Sequence, residues 1–482
     1  MSRIGFDSIT RTGLPAYMHP ILISLLMAQA SSPDAPPQFI CANNIVRDLP
    51  GRLDNTLVLY SNSPELIHTP GILVSTFPPE GKRVKAAHLN LLLDGRFDVF
   101  AHHVAQKATS ARTLYLAVLL RNPGKKPAHV NLLQAVSFLT SPDAPFYALP
   151  AMADNASGRV FAGPGDRMTD VVLRGLTQTG WPRTITVPAG QSKLLYNLAV
   201  PVSGHRSRNT RSTLIRAQTD QPLYAASLST YTNGSPPSPS QWETVLTSGS
   251  LAGPRDKKPT TPSSTTKPIY GRVAGVARGS KWSGCFTDCP HGSLRLAIPK
   301  EGQSVSYVVA TVEQGAFGTK QLQSAPLLVR YPDTSFQAHG NYAVEYNLYI
   351  PLSNDTAQTQ PVTIALQTPF KSNTSKSGLY FTSPPQQRIW FRGTIRLRYR
   401  DDNGRTVARY THVVQRQGDA GERLACLNVA PGQTRMVAID FLYPPDSTPP
   451  QILTVANPGP VATQANPAAA GAGQTTESQG PE

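Results

Sequence analysis

Acidic residues are scarce in this chain: 29 Asp and Glu stand against 45 Lys and Arg, a net charge of +16. Charged residues of both signs together make up only 15%. Long apolar runs are also lacking. The run Ile21–Met27 falls far short of the roughly 20 residues a membrane-spanning helix needs, and no other stretch approaches that length, so no transmembrane span is expected. Helix signals are thin. With 45 Pro and 36 Gly, the backbone is broken or bent too often for a helical bundle or coiled coil. Only Ser240–Leu246 reads as a turn of helix, with Ser240 and Glu243 in capping-box spacing.

Motifs that carry chemistry are missing as well. There is no G-x-S-x-G elbow, no H-E-x-x-H and no D-x-D-x-D-G loop. Gly275–Lys281 approaches a phosphate-binding loop, but its glycines are one residue too close and Ser280 precedes Lys281. His102 and His103 are adjacent on an expected strand, so their side chains point to opposite faces and cannot share an ion. They read as hydrogen-bonded structural residues. Neither a cofactor nor a metal is called for, and no specific nucleic-acid motif appears. Carboxylate pairs for glycoside hydrolysis stay open, because distance in the fold sets them rather than spacing in the chain. Asn155, Asn233, Asn354 and Asn373 fit the N-glycosylation sequon, which has meaning only in a eukaryotic secretory pathway.

What is present is a chain of short apolar runs separated by polar turns. Arg3 and Arg11, the run Ile21–Met27 and Ala28-Gln29-Ala30 read in that order as a signal peptide over 1–30. Met18 is an alternative start. Export agrees with the even set Cys41, Cys285, Cys289 and Cys426. A Cys285–Cys289 bridge would pin one loop, and Cys41 with Cys426 would then join the chain's ends. Zinc competes poorly, since C-x3-C with His291 supplies three ligands where a structural site needs four.

The low-complexity stretch 253–267 suggests a linker between a first β-sandwich domain, 31–252, and a second, 268–456, followed by a disordered tail, 457–482. The two parts share a pattern. Thr113–Leu120 runs through Asn122 to Val130–Val136, as Tyr342–Leu352 runs through Asn354 to Pro361–Leu366. Each then reaches a second marker, Ile185–Leu195 or Leu427–Val437, built on a Pro-Gly turn. Such hairpins predict an all-β fold of two tandem antiparallel, immunoglobulin-like sandwiches.

One hairpin rises above this background. Thr394–Arg400 alternates strictly, reaches Asp401-Asp402-Asn403-Gly404 and returns through Arg405–Thr411. With a two-residue Asn-Gly turn, Arg398 falls opposite Arg409 and joins Arg396 and Arg400 on one face. Ile395, Leu397, Tyr399 and Tyr410 take the other. Like charges facing one another destabilise a sheet, so an anionic partner relieves the repulsion; the competing reading is an edge guarded by charge.

Five blocks, Gly95–His103, Tyr270–Ala277, Leu328–Thr334, His339–Tyr342 and Phe441–Pro450, together resemble a cyanobacterial family of secreted proteins classed as a domain of unknown function, over roughly Asp48–Val455. The resemblance implies a cyanobacterial source and an envelope location. It carries no activity or catalytic residues to transfer. The expectation is a non-enzymatic exported protein of the periplasm, outer envelope or extracellular space. It would bind an anionic polysaccharide or lipopolysaccharide through Arg396, Arg398, Arg400 and Arg409. The alternative is a carbohydrate-active enzyme whose carboxylates the fold assembles.

Overall fold

The strand Thr113–Arg121 is apolar at nearly every position because both of its faces are covered. Leu114, Leu116, Val118 and Leu120 point into one core; Tyr115, Ala117 and Leu119 point into another. That alternation, repeated through the chain, builds stacked layers. The computed structural model describes residues 37–106, 112–262, 264, 266–288, 294–374 and 378–459. Over these the chain is nearly all β, with two short α-helices.

Four sheets form the body. Sheet A has four strands, with Thr113–Arg121 between Ser192–Val200 and Tyr224–Thr232 and with Gly71–Ser75 beyond. It packs on the eight-stranded sheet B, which includes Leu57–Ser61, Arg96–Gln106, Ala128–Leu139 and Arg208–Thr219. The eight-stranded sheet C includes Glu345–Ser353, Ile389–Arg400, Thr406–Arg416 and Thr434–Leu442, and packs on the five-stranded sheet D. Sheets B and C then turn their remaining faces to each other around helix α1, Pro164–Leu173, whose Met168, Val172 and Leu173 meet Phe100, Leu214 and Leu442. Helix α2, Pro239–Ser248, closes the outside of sheet A with Trp242 and Leu246.

The two asparagines of the shared sequence pattern make matching hydrogen bonds. Asn122 Nδ2 donates to the carbonyls of Lys126 (2.7 Å) and Val187 (3.0 Å), and its Oδ1 accepts the amide of Gly124 (2.9 Å). Asn354 Nδ2 donates to Gln358 (2.7 Å) and Val429 (2.8 Å), and its Oδ1 accepts the amide of Thr356 (2.9 Å). Their own amides donate to Gln191 and Gln433, both at 3.0 Å. Each partner turn carries a glycine at positive φ, Gly190 at 64° and Gly432 at 67°, where a Cβ is costly.

Several expectations need correction. Pairing is mixed: Leu57–Ser61 runs parallel to Arg96–Gln106, and Lys281–Cys285 parallel to Glu345–Ser353. The stretch 253–267 does not separate the sheets. Ala274–Arg278 and Leu327–Arg330 complete sheet B, while Arg52–Leu53 and Met152–Asp154 complete sheet C. The described part of that stretch is itself pinned, Gly253 to Thr69 by backbone bonds of 2.9 and 3.0 Å and Arg255 to Asp333 at 2.8 Å. The folded body also runs past 456, since Asn457 is buried and donates to Pro299 (3.0 Å) and Gln360 (2.8 Å). Residues 1–36 and 460–482, with the expected signal peptide and most of the tail, lie outside the described residues.

Helix α1 is absent from the sequence reading because Gly165, Thr169 and two adjacent valines weaken its intrinsic propensity. Pro164 at its first position and Asp166 in its first turn were the available signals. Helix α2 forms as expected, but its cap is Ser238 with Gln241, not Ser240 with Glu243.

Candidate functional site

Strand alternation places Arg396, Arg398 and Arg400 on one face of sheet C, with Ile395 and Leu397 in the core behind them. The return strand is shifted by one residue from expectation. Arg400 pairs with Thr406, so the turn has five residues, 401–405, and Leu397 rather than Arg398 faces Arg409. Asp401 sets this turn: its Oδ1 accepts the amides of Asn403 (3.0 Å) and Arg405 (2.8 Å), an Asx arrangement that outcompetes a two-residue Asn-Gly turn. A one-residue slip moves every side chain of a strand to the other face. Arg409 is therefore separated from the other three and reaches the Leu424 carbonyl of sheet D. Tyr410 moves the other way and packs at the seam between sheets B and C, under the Arg174 guanidinium at 4.1 Å.

The outgoing strand Ile389–Arg400 is interior, between Thr406–Arg416 and Thr434–Leu442, whereas the return strand pairs on its outer side only at Thr411–Val413, with Met152–Asp154. The hairpin's repulsion is not left to a partner alone. Asp440, 1% exposed, accepts from Arg396 Nε and Arg398 Nε, both at 3.1 Å. One carboxylate thus serves two guanidiniums. Arg400 is exposed, its guanidinium has no hydrogen-bond or ion-pair partner among the described residues, and it lines a cleft of about 600 Å³ with Asp401, Asp402, Gln433 and Arg435.

Asp440 is the outer end of a polar chain that stitches sheet C to sheet B. Asn347 Nδ2 donates to Asp440 (2.8 Å) and to Glu345 (2.9 Å). Glu345 accepts from Arg216 Nη1 (2.8 Å), and Arg216 Nε lies 3.6 Å from Asp98. Burial pushes the Asp98 carboxyl up to about 6 against the pull of Arg216. Burial acts on Glu345 in the same sense, but Arg216 and Lys281 hold that carboxyl below its usual range. Sequence reading missed this chain because its members are scattered from 98 to 440 with no local spacing.

The remaining candidates are structural. His102 Nδ1 pairs with Ser212 Oγ (2.8 Å), and His103 bridges Ser61 Oγ and the Pro64 carbonyl, both at 2.8 Å. Burial drives the His103 imidazole down to about 3, so it is neutral at ordinary pH. Cys285 is half-buried with its thiol raised by burial, while Cys289 and His291 lie outside the described residues. Cys41 and Cys426 are exposed free thiols on different sheets, so the bridge between the chain's ends is absent. Asn155 and Asn354 are buried with their amides engaged, which removes both as glycosylation acceptors. Gly275–Lys281 is a strand and its turn, with the Gly275 α-carbon packed against the Val329 carbonyl rather than facing a phosphate.

A second cleft, of about 470 Å³, was not anticipated. It opens between sheets A and B where Ser192–Val200 faces the ends of Ala128–Leu139 and Arg208–Thr219. Trp181 and Tyr196 meet edge to face across it, ring centroids 6.2 Å apart. Arg211 lines it. The clue in the sequence was an Arg inside a mostly buried strand, which is unusual unless the cation has a task.

No curated protein matches the chain. Among solved structures, the coconut allergen cocosin aligns at 9% identity over 81% of this chain and 85% of that one, with a TM-score of 0.09, far too low for a shared fold. The five blocks of resemblance do have a structural place: Phe100, Val273, Ala277, Tyr342 and Leu442 meet at the seam between sheets B and C, and Tyr331 packs between sheets A and B. A family model described as a protein of unknown function, DUF3370, matches residues 44–457, and the chain belongs to that family.

Proposed function

We propose that this protein is a non-enzymatic component of the cell envelope or its surroundings, in a cyanobacterium, that is exported after cleavage behind Ala30 and binds an anionic polysaccharide or lipopolysaccharide. The observation that carries the reading is the surplus of positive charge on one face of sheet C. Arg396 and Arg398 share the single carboxylate of Asp440, and Arg400 beside them is unpaired among the described residues. A planar guanidinium suits carboxylate, sulfate and phosphate because it donates two hydrogen bonds at once. The chain's net charge of +16 adds a long-range attraction for the same partners. The aromatic cleft brings in one carboxylate, Asp143, whose Oδ2 is occupied by the Leu139 amide at 2.8 Å. Acid–base glycoside hydrolysis uses two; the cleft beside Arg400 does have two, Asp401 and Asp402, but the turn amides engage the first and Asn428 and Arg435 the second, so retention of a glycan fits these surfaces better than its cleavage.

The test is retention of the full chain on immobilised lipopolysaccharide or polygalacturonate across a salt gradient. Binding should fall steeply as salt rises. Arg398→Glu with Arg400→Glu should weaken it more than Arg206→Glu with Arg208→Glu, a pair of exposed arginines elsewhere. Equal losses would reduce the effect to net charge and remove this face from the proposal.

A further inference from the structure

Arg211 is a buried cation with no carboxylate within ion-pair distance among the described residues. Nine-tenths of its surface is covered. Nε and Nη2 donate to the Ala199 carbonyl (3.0 and 2.7 Å), and Nη1 donates to Ser137 Oγ (2.9 Å). These bonds tie sheet B to sheet A, but they use neutral acceptors and leave the charge uncompensated. Burial lowers the guanidinium to about 10 against the pull of Asp143. Buried charges are ordinarily paired, and a guanidinium has five N–H donors, two of which have no partner in these bonds. The same cleft wall carries Trp181, held by Gln178 (3.4 Å), which is in turn fixed by the Ser137 amide (2.8 Å) and by its own amide on Ala135 (2.9 Å). An indole and a fixed cation lining one open cleft between two sheets make a place for a flat apolar ring face bearing a carboxylate.

We propose that this cleft binds one hexuronic acid residue of an acidic glycan, the pyranose face against Trp181 and the carboxylate at the free donors of Arg211. The inference shares with the reading above the idea of an acidic glycan, but uses a different sheet pair, so each can fail alone.

Titration calorimetry of the full chain with trigalacturonate and with neutral galactotriose tests it, at 0.5 M salt, where screening shortens to roughly 4 Å and surface arginines contribute little. Trigalacturonate should bind at least tenfold tighter than galactotriose. Trp181→Ala should weaken both at least tenfold, and Arg211→Gln should bring the two affinities together. Arg398→Glu with Arg400→Glu should change neither. Because Arg211 also ties the sheets together, circular dichroism and thermal melts accompany each variant, and Trp181→Ala alone decides if Arg211→Gln does not fold. Absence of trigalacturonate binding, equal affinity for the two trisaccharides, or unchanged binding by Trp181→Ala overturns the proposal.

Discussion

Burial sets the protonation of His88, His102, His103 and His339 more than any nearby charge does. The imidazoles of His88, His103 and His339 fall to about 4, 3 and 4. A histidine whose pKa is lower folded than unfolded lets the unfolded chain bind more protons in between, so its contribution to stability is intact above about 6.5 and is lost as pH falls. Asp98 works in the opposite sense. Its carboxyl is raised to about 6 in the fold, so its contribution declines as pH rises from about 4 to 6. A variant-to-wild-type comparison cancels Asp98 and isolates one histidine. His103→Gln can keep contacts to Ser61 and Pro64 without the charge. Between pH 7 and pH 4.5 its unfolding free energy should fall by about 2 kcal/mol less than that of wild type in urea titrations; parallel curves would mean that His103 does not stay neutral in the fold. The opposite-face placement of His102 and His103 was legible from strand alternation alone, whereas their partners Ser212 and Ser61, distant in sequence, were not.

At the scale of elements, alternation proved more legible than register. The period of two identified which residues of 394–400 face the core, and Ile395 and Leu397 are there. Register depended on the turn, and the Asp401 side chain altered that by lengthening it to five residues. Asp440 was out of reach of any local reading because it arrives from the neighbouring strand, 44 residues beyond Arg396. Its removal should have two opposite effects. Asp440→Ala leaves two guanidiniums without their shared acceptor and the Asn347 amide with Glu345 as its only carboxylate, at a cost of about 2 kcal/mol in urea unfolding, less than for a fully buried pair because Arg398 is 42% exposed. The same change frees both cations, so retention on polygalacturonate at low salt should strengthen several-fold. Weaker stability with unchanged retention would separate the arginine face from binding.

For the molecule as a whole, Asn122 and Asn354 make matching sets of hydrogen bonds, while strands exchanged between the two parts of the chain show that those parts are not independent. Composition marked 253–267 as a linker because Pro, Ser, Thr and Lys dominate it. It could not show that strands on either side cross over, since pairing partners far apart in sequence leave no local trace. Sheet B takes Ala274–Arg278 between Leu57–Ser61 and Leu327–Arg330; sheet C takes Met152–Asp154 at one end and Arg52–Leu53 at the other; sheet D takes Ile45–Arg47. Each half therefore exposes unpaired strand edges and half of the seam around α1 when alone, which costs far more than the marginal stability of a domain of this size. Cutting within 253–267 should leave a nicked protein that stays associated and melts in one calorimetric transition. Residues 38–252 and 268–459 expressed separately should fail to give a cooperative melt and recover it on co-expression. Two independent, cooperative melts from the separate halves would show that the exchanged strands are dispensable decoration on two self-sufficient sandwiches, and that the seam between sheets B and C contributes little to holding the chain together.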